Sequence, residues 1–124
     1  LPELLEFLQR HPFFNRLDAL RLREIAIHFQ ARRFDRGGLI LLEGDTCRAV
    51  YFVAEGYVQV FRGSEDGRIQ TLAILGPGRQ FNEVPALDNG PNPASAEALS
   101  DTTLYCIPAD DFRRIVEQHP EISK

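Results

Sequence analysis

The densest run of residues able to hold a ligand is Phe81-Asn82-Glu83-Val84, followed by Asn92 and Ser95. A carboxylate offers acceptors only, so Glu83 suits a donor-rich ligand such as a sugar, and the Ser95 hydroxyl can donate to a ligand acceptor. The same carboxylate at the start of a short helix would satisfy local backbone amides and serve no ligand. Ala94, Ser95 and Ala96 are small enough to line a cavity or simply to pack under a loop. Pro85, Pro91 and Pro93 bracket the run; each fixes φ and removes a donor, which stiffens the loop.

Covalent and metal chemistry find no comparable set. No Ser/His/Asp or Cys/His arrangement is visible for nucleophilic catalysis. His11, His28 and His119 fall outside the runs that read as strands, where a metal-dependent barrel enzyme would need convergent nitrogen and oxygen ligands. Cys47 and Cys106 lack CxxC spacing and read as two reduced thiols, with neither a zinc site nor a disulfide framework indicated. The chain is expected not to be an enzyme and to hold no metal.

The candidate residues must be positioned by strands between terminal helices. Leu1, Leu4, Leu5 and Leu8 fall on one face of a short helix that His11-Pro12 ends. Leu22, Ile25, Ala26 and Phe29 repeat the spacing, predicting a second helix capped by Asp18 and running to about His28. Phe112, Ile115, Val116 and His119 mark a last helix, with Asp110 and Asp111 in its first turn and Pro120 limiting it. Between Ala31 and Ile107, short β-rich runs are separated by glycine turns such as Glu55-Gly56 and Asp66-Gly67. The runs are Leu39 to Leu42, Val50 to Val53, Tyr57 to Phe61, Ile69 to Leu75, Ala94 to Leu99 and Thr102 to Ile107. Apolar residues on both faces of Tyr57 to Phe61 predict a covered strand. These runs predict a mainly β chain with flanking helices, an antiparallel β-barrel or sandwich.

At 124 residues, with 44% apolar residues and nine Phe, the chain suits one domain spanning 1–124. Its 14 basic against 18 acidic residues give a formal charge of −4, the wrong sign for gripping nucleic acid unaided. Arg21, Arg23, Arg32, Arg33 and Arg36 form a basic cluster interrupted by Glu24 and Asp35, which reads as a solvated helix end. No apolar run approaches a membrane span, and the first residues include no basic leader region, so a cytoplasmic, membrane-free protein is expected.

The glycine framework adds a family resemblance. Phe34 to Asp45, with its Gly37-Gly38 and Gly44-Asp45 corners, is followed by Val50 to Val60, Asp66-Gly67-Arg68, Leu75-Gly76-Pro77-Gly78 and Phe81-Asn82-Glu83-Val84. This order resembles the cyclic-nucleotide-binding-like fold, a double-stranded β-helix jelly roll, over about Phe13 to Glu121. With His119-Pro120-Glu121-Ile122 the chain is most similar to the sensor domains of bacterial Crp/Fnr transcription regulators. In that family such a segment leads into a dimerisation helix and a helix-turn-helix domain. The resemblance therefore implies a small-molecule effector, a homodimer in the intact protein, and DNA contact only through a domain beyond this chain.

The same resemblance identifies two replacements. In the family's phosphate cassette a Gly stands where Asn82 does and an Arg where Asn92 does, and Glu83 occupies the position that accepts from the ribose hydroxyl. A guanidinium makes a bidentate charged contact that a neutral amide cannot. Losing about 1.5–3 kcal/mol weakens binding roughly ten- to a hundredfold. The expected effector is therefore unknown and not a standard cyclic nucleotide. Two alternatives stay open: a variant cassette that still binds cyclic AMP or cyclic GMP, and a ligand-free scaffold for dimerisation. The scaffold predicts a pocket filled by its own side chains, the sensor an open cavity beside Glu83. Arg48, Arg79 and Lys124 are the cations available to replace the missing one. Heme, sensed elsewhere in the family, would draw on Cys47, Cys106, His28 or His119, though His28 and His119 sit where packing residues are expected. An iron–sulfur cluster needs more thiolates than two.

Overall fold

Alternation along the strand centred on Phe52 dictates two layers of core. In the computed structural model, which describes residues 2–122, strand β3 (Ala49–Glu55) sends Val50 and Phe52 to one side and Tyr51 and Val53 to the other. Successive side chains of a strand face opposite ways, so a strand apolar on both faces must be covered on both. Helices cover one face of β3 and a second sheet covers the other.

The helical layer is built from α1 (Pro2–Arg10), α2 (Ala19–Ala26) and α4 (Ala109–Gln118). Leu4 and Leu8 of α1, Leu22 and Ile25 of α2, and Phe112 and Ile115 of α4 are buried together. Leu1, the first residue of the expected α1 stripe, lies outside the described residues, as does Lys124. The Asp18 carboxylate caps α2 as expected, accepting from the Arg21 backbone N–H at 2.8 Å. Helix α2 stops at Ala26, short of the expected end near His28. Phe29 instead turns into the core, its ring 6.0 Å from Phe14 and 5.7 Å from Phe52, and the chain leaves as a strand. Phe52 is surrounded by the rings of Phe7, His11, Phe13, Phe14 and Phe29 at 5.0–6.4 Å between centroids.

The sheets complete the expected mainly β architecture. Strands β1 (Gln30–Phe34) and β2 (Leu39–Leu41) precede β3; β4 (Val58–Gly63), β5 (Ile69–Leu75) and β6 (Gln80–Phe81) follow. A short helix α3 (Glu83–Asp88) then leads to β7 (Ser95–Ala98) and β8 (Thr102–Pro108). Two four-stranded sheets result, ordered β1-β8-β3-β6 and β2-β7-β4-β5, with antiparallel pairing. Tyr51, Val53, Val58, Phe81, Leu104 and Cys106 fill the space between them.

Three expectations need correction. Arg32 and Arg33 stand on β1, an edge strand paired only with β8, so the basic cluster is divided between α2 and a sheet edge and is no helix end. β6 was not expected as a strand. The β4 strand is only partly covered: Val58 is fully buried, whereas Tyr57 lies just before it and is 53% exposed.

Candidate functional site

The loop from β6 to β7 is shaped by two asparagines. Directly after Phe81, Asn82 adopts a left-handed backbone at φ 73°, which Asn accepts more readily than most non-glycine residues, and this turns the chain into α3. The Asn82 side-chain amide donates to Asn92 Oδ1 at 2.8 Å. Asn92 Nδ2 donates in turn to the Leu42 carbonyl at 2.9 Å. The Asn92 backbone is also held, its N–H donating to Asp45 and its carbonyl accepting from Gly44. Asn92 is 4% exposed with its side chain hydrogen-bonded at both ends. Burial without loss is possible because an amide pair satisfies itself, where a buried guanidinium would need a counter-charge.

Beside this bridge lies a cavity of about 170 Å³. Ile40, Leu41, Leu42 and Tyr51 supply apolar wall, while Asp45, Thr46, Arg48 and Asn92 supply polar atoms. Ligand pockets for drug-sized molecules occupy roughly 300–1,000 Å³, so the space is smaller than that range.

Of the residues expected from sequence, Asn92 alone lines that cavity. Phe81 is buried behind it, its ring stacked on Tyr51 at 5.0 Å between centroids and 15° between planes. Asn82 spends its amide on Asn92. The Ser95 hydroxyl accepts from the Glu43 backbone N–H at 2.9 Å, so it tethers β7 to the turn after β2. Val84 is 64% exposed on α3. Glu83 does not line the cavity. Its carboxylate accepts from Gln80 Nε2 at 3.1 Å, and Gln80 Oε1 accepts from His11 Nε2 at 2.9 Å. His11 Nδ1 accepts from the Phe13 N–H at 3.0 Å, which assigns the proton to Nε2 and completes a relay from the chain after α1 to the start of α3.

Sequence reasoning did not single out Tyr51, Gln80 or His11 for these roles. Tyr51 was readable from β3 alternation, which places it on the inner face with Val53. The partnership of His11 with Gln80 joins residues 69 positions apart, which no local pattern reveals. Among the cations considered, Arg48 lines the cavity and Arg79 does not. Among the described residues no group of three or more His, Cys, Asp and Glu is arranged to hold a metal. Cys106 is buried between the sheets, where desolvation pushes its thiol up to about 11, and His28 lies on the surface, 3.5 Å from Asp111.

Burial of His11 sets a pH dependence. Desolvation lowers its pKa below the ordinary 6.5, outweighing the opposing pull of Gln80 and Glu83. Between the lowered folded value and about 6.5 the unfolded chain therefore binds more protons than the folded one, and stability drops as pH falls through that window. The thermal midpoint is expected to decline from about pH 7 to pH 5, and His11→Gln to reduce that slope; equal slopes in both proteins would contradict the assignment.

Comparison with known proteins places this arrangement among relatives. A family profile described as "Cyclic nucleotide-binding domain" matches residues 31–119. The chain is 36% identical over 112 residues to the Cyclic AMP receptor protein of Thermus thermophilus, covering 90% of this chain and 52% of the relative. It is 29% identical over 119 residues to the CRP-like cAMP-activated global transcriptional regulator of Mycobacterium tuberculosis, covering 96% and 53%. Among solved structures, the Thermus thermophilus Catabolite Activator Protein matches with a TM-score of 0.80 at 36% identity, covering 90% of this chain and 53% of that one. The N-terminal domain of a transcriptional regulator from Streptomyces coelicolor A3(2) matches with a TM-score of 0.80 at 32% identity, covering 94% and 82%. The chain thus spans about half the length of these two curated relatives.

Proposed function

This chain belongs to the cyclic nucleotide-binding domain family, and we propose that it is the effector-sensing domain of a Crp/Fnr-type transcription regulator whose effector is not a standard cyclic nucleotide. The observation that carries the reading is the Asn82–Asn92 amide bridge: at the two positions where the resemblance implies a Gly and a phosphate-binding Arg stand neutral, already bonded amides. The turning of Glu83 toward Gln80 supports the exclusion of a standard cyclic nucleotide, because the carboxylate expected to meet a sugar hydroxyl is already bonded; the cavity lies beside Asn92 and not, as the sensor reading expects, beside Glu83. The proposed site comprises Phe81, Asn82, Glu83, Val84, Asn92 and Ser95 as the cassette frame. Arg48 is added as the one cation among the described residues that line the cavity, suited to a compact anionic group.

In this reading the domain acts as a cytoplasmic, non-enzymatic module. DNA binding and homodimerisation are assigned to parts of the intact protein other than this domain. No described helix is long and apolar enough to cross a membrane. Effector occupancy would bias the cassette and flanking helices between two packings. The two relatives whose names refer to cyclic AMP are the reason to test that nucleotide first.

A ligand-free scaffold is the second reading, favoured by the small cavity and by Tyr51, one of its walls, being stacked against Phe81. Calorimetric titration with cyclic AMP and cyclic GMP tests the first reading, with no saturable heat expected at micromolar ligand. Micromolar binding of either nucleotide would sink it. A small molecule released from the purified domain on denaturation, seen by mass spectrometry, would exclude the scaffold.

A further inference from the structure

A cavity of about 710 Å³ lies away from the cassette. Helix α1 forms its roof and the outer face of β1, β8 and β3 its floor. It shares no lining residue with the space beside Asn92. Its volume falls within the range of small-molecule sites.

Register orders the floor. Thr103 of β8 is paired with Arg33 of β1 on one side and Glu55 of β3 on the other, and Tyr105 lies two residues on, opposite Ala31. Above them Phe7 of α1 meets the Tyr105 ring edge-on at 5.2 Å. Two aromatic rings therefore wall the cleft, with Pro77 and Ala54 adding apolar surface. Glu3 and Glu6 enter from the helix and Glu55 from the strand end. None of these three carboxylates has an ion-pair partner among the described residues. The lining also includes Arg10 and Arg33, so carboxylates outnumber guanidiniums. Arg10 stands one turn beyond Glu6 on α1, and Arg33 on the flank opposite Glu55. Glu3 and Glu55 both act electrostatically on the Tyr105 hydroxyl, raising its pKa together with the larger effect of desolvation, so negative charge gathers at that end.

From these observations we propose that the cleft between α1 and the β1-β8-β3 face is a second ligand site, for a small organic cation with an aromatic or apolar body. The cationic head is held between Glu3 and Glu55 next to the Tyr105 ring, where charge attraction and the ring's negative face act together. The apolar body lies along Phe7 and Pro77. The proposal does not rest on the cassette's taking a cyclic nucleotide, although His11, bonded to Gln80, also lines the cleft.

The test titrates 2-phenylethylamine, and separately 2-phenylethanol and 3-phenylpropionate, into the 15N-labelled domain. Amide shifts at Ala31, Ala54, Thr103 and Tyr105 are expected for the amine, with the alcohol and the acid at least about tenfold weaker. The variant Glu3→Gln with Glu55→Gln, both exposed side chains, is expected to bind the amine about tenfold more weakly while its circular dichroism is unchanged. Any of four results would overturn the proposal: no saturable shift, equal binding of amine and acid, a double variant that binds as the parent does, or shifts confined to Tyr51 and Asn92. The last would place the amine in the cassette without bearing on its response to cyclic nucleotides.

Discussion

Phe52→Ala is expected to lower the free energy of unfolding by about 3–5 kcal/mol, a large part of the roughly 5–15 kcal/mol that holds a domain together. Phe52 is fully buried at the centre of β3, and five aromatic rings meet it from α1, from the turn after α1 and from the end of α2. Those rings reach it from separate directions, so collapse around the lost side chain would require elements to move together, which close-packed interiors resist. Urea denaturation measures the loss. A change below about 1 kcal/mol, within the range of a surface substitution, would show that the cluster is not organised around this ring. The same substitution removes the surface on which the His11 ring rests, 5.0 Å away, so the hydrogen bond from His11 to Gln80 should loosen with it.

The double substitution Asn82→Gly with Asn92→Arg is expected to raise affinity for cyclic AMP by roughly ten- to a hundredfold over the parent domain. Glycine at 82 keeps the left-handed turn, since φ 73° strains no residue without a Cβ, and removes the amide that now bridges the corner. Arginine at 92 returns a bidentate cation to the place where phosphate charge would sit. Its burial there is costly without an anion, so the variant should be less stable empty and gain more than the parent on adding nucleotide. Calorimetry reads the affinity and a melting curve with and without nucleotide reads the stabilisation. Unchanged affinity in a folded variant would mean that the corner amides are not what excludes the nucleotide.

Legibility in the sequence followed the range of the interactions concerned. Corners set by Gly37, Gly44, Gly56, Gly67 and Gly78, all at positive φ, could be read from single residues, as could the Asp18 cap, and Val50 to Val53 could be read as a strand from its short apolar run. β1 was missed because Gln30-Ala31-Arg32-Arg33-Phe34 has little apolar alternation; it is a strand through pairing with β8, far away in sequence. β6 was missed because two residues carry no period. At the site, residue types were legible and directions were not. Asn92 reaching Leu42, and Glu83 turning to Gln80 instead of the cavity, depend on which backbone and side chains the fold brings within hydrogen-bond range.

The relay from His11 through Gln80 to Glu83 makes the cassette accountable to the N-terminal helix. An effector that draws the Glu83 carboxylate away from Gln80 would leave the Gln80 amide without that acceptor, and a turn of the amide to find another would strain its bond to His11. The free energy of that exchange is shared by both ends. Whatever restrains α1 and the turn at His11 changes effector affinity by the same factor by which the effector changes the restraint, because equilibrium coupling between two sites is reciprocal.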